Sequence, residues 1–408
     1  MNSSKRFRSW ILGTMTLSSL TLPVLFAPAA ARPAQAQTET VLYSFGTLAN
    51  DGNTPYAGLV IDKQGNLYGT TSSGGAYNAG TLFEISSAGD YKVLYNFGRT
   101  HADGRNPYSK LLFDKKGNLY GTTSAGGLGR SYCDDGCGTV FKFTASTGKE
   151  KVLYRFGSFS GDGLTPYADL VFDVNGNLYG TTIGGGNSVG GTCQANGCGT
   201  AFMVNSKGKA IETVLHSFGG YSGDGVTPAG GLVFDAAGNL YGATEEGGNN
   251  NYGIVFEITS MGEEEVLYKF SNNEGGGEPS SGLIIDSLGN LYGTTKYGGS
   301  YTGEGTVYEL TWGGQEEVLA SFGGAYGVFP TGNLLSFQGN LFGTTQQGDT
   351  PTVFEVTSTG VLNILYTFGT NESCYPNGDL VVDEFGNFYG TTQRCGANNL
   401  GTVFKIAP

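Results

Sequence analysis

Six cysteines, two histidines and a small basic cluster carry the chemistry that stands apart in this 408-residue chain. The cysteines are Cys133, Cys137, Cys193, Cys198, Cys374 and Cys395. The first four stand as CDDGC and CQANGC, a spacing loosely like that of metal ligands. An even number of thiols in an exported chain points instead to disulfides. Arg99, His101 and Arg105 share the loop RTHADGR, with Arg130 and Tyr132 in a second loop of the same repeat. Such a group could grip a carboxylate or sulfate through paired guanidinium bonds. Solvated loop charge is the plainer reading of the same residues. His216 occupies a slot held by tyrosine in most sister repeats, which makes it a packed or edge residue.

Recurrent acids are the other candidates. Asp51, Asp103, Asp162 and Asp224 each open a D-G-x-x-P segment and could ring a channel mouth around a cation. Their recurrence favours a shared turn closed by Pro55, Pro107, Pro166 and Pro228. Asp62, Asp114, Asp173, Asp235, Asp286 and Asp383 each precede a G-N pair, with Ser336 in the equivalent place. They read as turn openers that bond their own backbone. A calcium loop would need oxygen ligands at alternate positions, which the sequence lacks. No serine elbow, zincin helix, phosphate loop or cysteine–histidine dyad is present, and no motif calls for a cofactor or metal.

These residues sit in a sequence that repeats itself. VLYSFG (from Val41) returns as VLYNFG (Val93), VLYRFG (Val152), VLHSFG (Val214), VLYKFS (Val266), VLASFG (Val318) and ILYTFG (Ile364). Each is followed by GNLYGTT and GTVFEI or close variants, a period of roughly fifty residues that marks a stacked or circular array. In one unit, Leu59–Asp62, Leu67–Thr71, Thr81–Ile85 and Val93–Phe97 are short runs of strand formers bounded by turn residues. Four antiparallel strands repeated seven times predict an all-β, seven-bladed propeller.

The chain starts with the fourth run and ends with the third. Val41–Phe45 should therefore complete the blade built from Leu380–Asp383, Phe388–Thr392 and Thr402–Ile406, closing the ring. Within VLYSF, alternation places Val41, Tyr43 and Phe45 on one face. Gly69 and its equivalents lie inside the second strand, and close approach between blades is the expected reason. All six cysteines fall on the face of the longer loops. Local pairs Cys133–Cys137, Cys193–Cys198 and Cys374–Cys395 are favoured, with pairing between the loops of blades two and three left open.

Lys5, Arg6 and Arg8, an apolar stretch from Trp10 to about Ala31, and Ala34-Gln35-Ala36 describe a signal peptide over residues 1–36. An uncleaved anchor is the alternative. A single propeller domain is then expected over 37–408, monomeric and either extracellular or periplasmic. Cleavage removes four positive charges and no acids, taking the formal charge from −13 to −17. Such a surface disfavours nucleic acid and anionic lipid.

The pattern GNLYGTT…GG…GTVFE…VLYSF, running from Val41 to Ile406, resembles the GloVer tandem-repeat family of bacterial exported proteins, the choice-of-anchor group. Its blades are also similar to NHL-type and lactonase-type units. The resemblance implies an extracytoplasmic propeller of unassigned activity, often with a C-terminal anchor. This chain departs by stopping at Pro408 after its last strand, and its sixth repeat places Asn333 in an apolar slot. The expected function is a binding module for a glycan, peptide or surface protein, acting through the long-loop face. The alternatives are a metal-assisted hydrolase or lyase at the axis and a purely structural surface protein.

Overall fold

Short runs of β-branched and aromatic residues between glycine turns make strands that cannot cover themselves, so they associate. The computed structural model describes residues 37–128, 133–187, 193, 197–205, 210–300, 303–347, 351–369 and 374–408. The expected leader, 1–36, lies outside them. Seven antiparallel sheets follow one another in chain order, each four strands wide along the main path. In blade one they are an inner strand Val60–Ile61, a second strand Leu67–Thr71, a third Thr81–Ile85 and an outer strand Tyr91–Asn96. The predicted second and third strands match to the residue. The inner strand is shorter than expected, and the outer strand begins earlier.

The ring closes as the repeat phase required. Glu39–Ser44 pairs antiparallel with Thr402–Ile406, next to Phe388–Thr392 and Val381–Val382. One expectation fails in detail. Every outer strand carries an irregularity at the VLY step, such as that between Val41 and Tyr43. The bulge inserts one residue, so simple alternation does not run through the hexamer.

The recurring words are packing instructions. The core consists of clusters that each span two neighbouring blades, such as Phe45 with Leu59, Leu67 and Phe83. The final phenylalanine of each hexamer packs on an aromatic ring in the third strand of the next blade. Examples are Phe45 on Phe83 at 5.3 Å, Phe156 on Phe202 at 4.9 Å and Phe368 on Phe404 at 5.2 Å. Each such pair adds about 0.5–1.5 kcal/mol beyond the area buried.

The two threonines of GTT divide the work. Thr391 donates to the Ala57 carbonyl of the next blade, and Thr181 does the same to Gly230. The second threonine pairs inside its blade, as Thr71 with Thr81 at 2.9 Å.

The second-strand glycine has a different reason from the one expected. A Cβ on Gly69 would lie 2.6 Å from Phe83 Cζ, so it makes room for a ring of its own blade. The close approach between blades belongs to the glycine before TVF. A Cβ on Gly80 would lie 2.8 Å from Pro107 of the next blade, and φ there is +94°.

The sequence reading missed small two-residue ladders on the long-loop face, such as Gly52–Asn53 with Ser73–Gly74. They recur in blades one to four and tie the entry loop to the second-to-third loop. The three disulfides are the local pairs Cys133–Cys137, Cys193–Cys198 and Cys374–Cys395, with Cα separations of 5.3, 5.1 and 4.9 Å. Among the described residues no helix is long and apolar enough to cross a membrane.

Candidate functional site

The loop from each outer strand to the next inner strand descends from the long-loop face towards the axis, so its last residues meet their counterparts from other blades. One repeat position, directly before the buried leucine of the inner strand, reads Gly58, Lys110, Asp169, Gly231, Gly282, Asn333 and Asp379. Four of these side chains converge. Asn333 donates its side-chain amide to both Asp169 Oδ2 and Asp379 Oδ2 at 2.9 Å, and its backbone N–H to Asp379 Oδ1 at 2.8 Å. Its own amide oxygen accepts from the Gly282 N–H. Lys110 gives its backbone N–H to Asp169 Oδ1 at 2.7 Å and its ammonium to Asp379 Oδ2 at 3.3 Å. Burial, then the charge of Asp379, lifts the Asp169 carboxyl to about 7. Asn333 is thus not in an apolar slot. Leu334, 4% exposed, fills that slot, and Asn333 takes the axial one.

Two residues earlier, nearer the long-loop face, three successive blades carry tyrosine. Tyr56 meets Tyr108 edge-on at 5.0 Å, and Tyr108 meets Tyr167 at 4.5 Å. Tyr56 keeps 37% of its surface exposed. Its hydroxyl is raised by burial, then by the charge of Glu245 of blade four. Burial pushes the Tyr167 hydroxyl up to about 12. Glu245 follows the second strand of its blade. Burial lifts it to about 7, while Lys296 opposes that shift and Glu278 adds to it. Lys296 in turn pairs with Glu278 at 3.9 Å and stands over the Tyr297 ring at 5.1 Å. An arc of phenol rings therefore lies within electrostatic reach of a carboxyl that burial lifts to about 7.

Three of the five residues of the expected basic group are described. Arg99 and His101 are exposed and Arg105 is half-buried in a two-residue ladder. The loop that carries them is pinned by Asp103, which accepts from the Arg99 N–H at 2.9 Å and the Tyr95 hydroxyl at 2.9 Å. Arg155 holds the same loop, giving two nitrogens to the Ala102 carbonyl. Arg130 and Tyr132 lie outside the described residues. The D-G-x-x-P acids are buried turn anchors: Asp51 accepts from Tyr43, Tyr91 and the Gly46 N–H, all at 2.7–2.8 Å. The G-N turn acids also behave as expected. Asp62 Oδ1 accepts from the Gln64 and Asn66 N–H groups at 2.9 Å, and its Oδ2 from the Asn66 side-chain amide at 2.9 Å.

The sequence reading passed over the tyrosine arc. Its signal was the P-Y pair at Tyr56, Tyr108 and Tyr167, which the later repeats replace with Ala229, Ser280, Thr331 and Asn377.

The family model described as the Gloeobacter/Verrucomicrobia repeat matches residues 31–195 and 260–408. No curated protein matches the chain. Among solved structures the chain is similar to a putative gluconolactonase at 14% identity and TM-score 0.45, covering 91% of this chain and 92% of that one. It is similar to a gluconolactonase of Xanthomonas campestris at 11% identity and TM-score 0.44, covering 91% and 89%. It is also similar to a chain of the nidogen/laminin complex at 15% identity and TM-score 0.46, covering 74% and 94%. At such identities the likeness is one of fold alone.

Proposed function

Since the chain belongs to the Gloeobacter/Verrucomicrobia repeat family, a ring of like blades with unlike loops, we propose that it is an exported glycan-binding module using the axial mouth of its long-loop face. The observation that carries this reading is the arc of Tyr56, Tyr108 and Tyr167, with the Glu245 carboxyl close enough for its charge to raise the Tyr56 hydroxyl. A sugar ring has an apolar C–H face that packs on phenol rings, and an edge of hydroxyls that a carboxyl can both donate to and accept from. A concave surface with aromatic walls and a few convergent polar groups is the usual form of a small-ligand site. Tyrosine supplies contact area at low cost in side-chain freedom.

The test is binding of soluble oligosaccharides to the purified chain, by array and then calorimetry. Tyr108→Ala, the central ring of the arc, should weaken the best ligand by roughly tenfold or more, about 1.4 kcal/mol. Failure to bind any glycan, or binding indifferent to Tyr108→Ala and Tyr167→Ala, would sink the reading.

A second reading, hydrolysis at the axis, draws on Lys110, Asp169, Asn333 and Asp379 meeting from four blades. Every carboxylate oxygen of that group already accepts a hydrogen bond from within it, so it suits a structural plug better than a waiting acid or base. Lactone hydrolysis that disappears in Asp169→Asn would reverse this preference.

A further inference from the structure

Where one blade meets the next, the same arrangement recurs on the outer side of the ring. The tyrosine of VLYxF reaches the aspartate of the following D-G loop, and the first residue of the next outer strand comes up beside them. Tyr43 and Tyr91 each give a hydroxyl to one oxygen of Asp51 at 2.7 Å. Tyr95 donates to Asp103 at 2.9 Å, and Tyr154 to Asp162 at 2.8 Å.

Between blades three and four the donor is gone. His216 stands in the tyrosine slot, packed edge-on against Phe218 at 4.7 Å. Its Nε2 is buried without a hydrogen-bond partner, 3.4 Å from Asp224 Oδ2. The Asp224 side chain has no exposed surface. Glu264 comes from the next outer strand, and its Oε1 is also buried and unpartnered. Its Oε2 accepts from the Tyr221 hydroxyl at 2.6 Å. One ligand atom from each of His216, Asp224 and Glu264 lies within 4.8 Å of the others.

We propose that His216, Asp224 and Glu264 form a binding site for a single divalent cation of the zinc type, bridging blades three and four. One imidazole nitrogen and two carboxylates form a donor set that zinc accepts, and bonds of about 2.0–2.2 Å place ligand atoms roughly 3–4 Å apart. The cation would join the buried ring nitrogen, the unpartnered Glu264 Oε1 and Asp224 Oδ2, which already accepts from the Gly220 N–H at 2.9 Å. Tyr221 orients the glutamate from outside, as groups behind metal ligands do. The nearby Lys269 ammonium is held at the Asn249 side-chain oxygen, 3.4 Å away. Three protein ligands leave a coordination position for water. The site lies among the outer strands, away from the axis, and stands independently of the glycan reading.

The test is a zinc titration of the chelator-treated full chain by calorimetry, with melting temperature followed in parallel. The expected result is one zinc per chain, a rise in melting temperature, and roughly tenfold or greater weakening in Glu264→Gln and His216→Tyr. His216→Tyr installs the residue that the neighbouring junctions carry, so it preserves the local packing. Glu264→Gln reads the site independently should that variant fail to fold. His101→Ala, at the chain's other histidine, should leave the titration unchanged. Absence of zinc uptake by the parent chain, or uptake unaltered in Glu264→Gln or in folded His216→Tyr, overturns the proposal.

Discussion

On the short-turn face, Asp62, Asp114, Asp173, Asp235, Asp286 and Asp383 make the same bonds to their own turns. At the axis, the position before the buried leucine is glycine in three blades and Lys110, Asp169, Asn333 and Asp379 in the other four. Both sets come from the same repeat, and they differ in what they touch. A turn aspartate meets only its own blade, so the six copies never see one another. An axial side chain meets those of other blades, as Asn333 meets Asp169 and Asp379, and seven like charges there would repel. Variation at the axis is therefore partly enforced by the symmetry itself. Asymmetry there is weaker evidence of a ligand than asymmetry among the outer strands, where neighbouring copies lie further apart.

The sharpest way to break this comparison is Asn333→Ala. It removes the bridge between half-buried Asp169 and buried Asp379 and should cost about 3–4 kcal/mol in denaturant unfolding. A loss no larger than that of one turn aspartate would mean the axis is not a shared network. Next come the disulfides. Opening Cys374–Cys395, 21 residues apart, should cost about 3 kcal/mol by loop entropy. Opening Cys133–Cys137, four apart, should cost about 2 kcal/mol. Equal losses would show that native packing rather than loop length governs both.

The pH dependence follows. Glu212 is raised to about 8 by burial and by Asp162, and Glu150 to about 7 by burial and by Asp103. A raised acid binds its proton more tightly when folded, so its stabilisation is complete below about pH 4 and drains away as pH climbs through 8. Melting temperature should fall between pH 5 and pH 8, by on the order of 2 kcal/mol in stability. Glu212→Gln should flatten that slope, and an unchanged slope would place the protons elsewhere. The smallest effect is Asp235→Ala, about 1 kcal/mol and confined to one turn by hydrogen exchange. Loss of protection across several blades would show that the turns are not independent.

Strands were legible because their words carry the reason for their packing. Leu67–Thr71 and Thr81–Ile85 show it, and so does the phase that joins Glu39–Ser44 to Thr402–Ile406. Which residue faced the axis was not legible. Asn333 and Leu334 are adjacent, and composition cannot say which of them points inward. The bulge at Leu42 was hidden for a similar reason, since an inserted residue leaves no mark in a hydrophobic pattern. Tyr56, Tyr108 and Tyr167 lie in the chain at roughly fifty-residue intervals, and only the closed ring makes them neighbours. His216 and Asp224 stood out in the sequence, and Glu264 did not. Their meeting depends on two consecutive outer strands lying side by side, which is tertiary information.

The join between the chain's first strand and its last has a consequence for how the molecule is made. Synthesis runs from the amino end, so Glu39–Ser44 emerges first and must wait unpartnered until Thr402–Ile406 arrives. During that interval six blades can assemble, while the seventh lacks one side and the first lacks a neighbour. A rearranged gene that moves Glu39–Ser44 to follow Ile406 through a short tether would let the last wedge mature in order. Such a permutant should refold faster than the parent while melting close to it, because the wait would be gone and the finished ring unchanged.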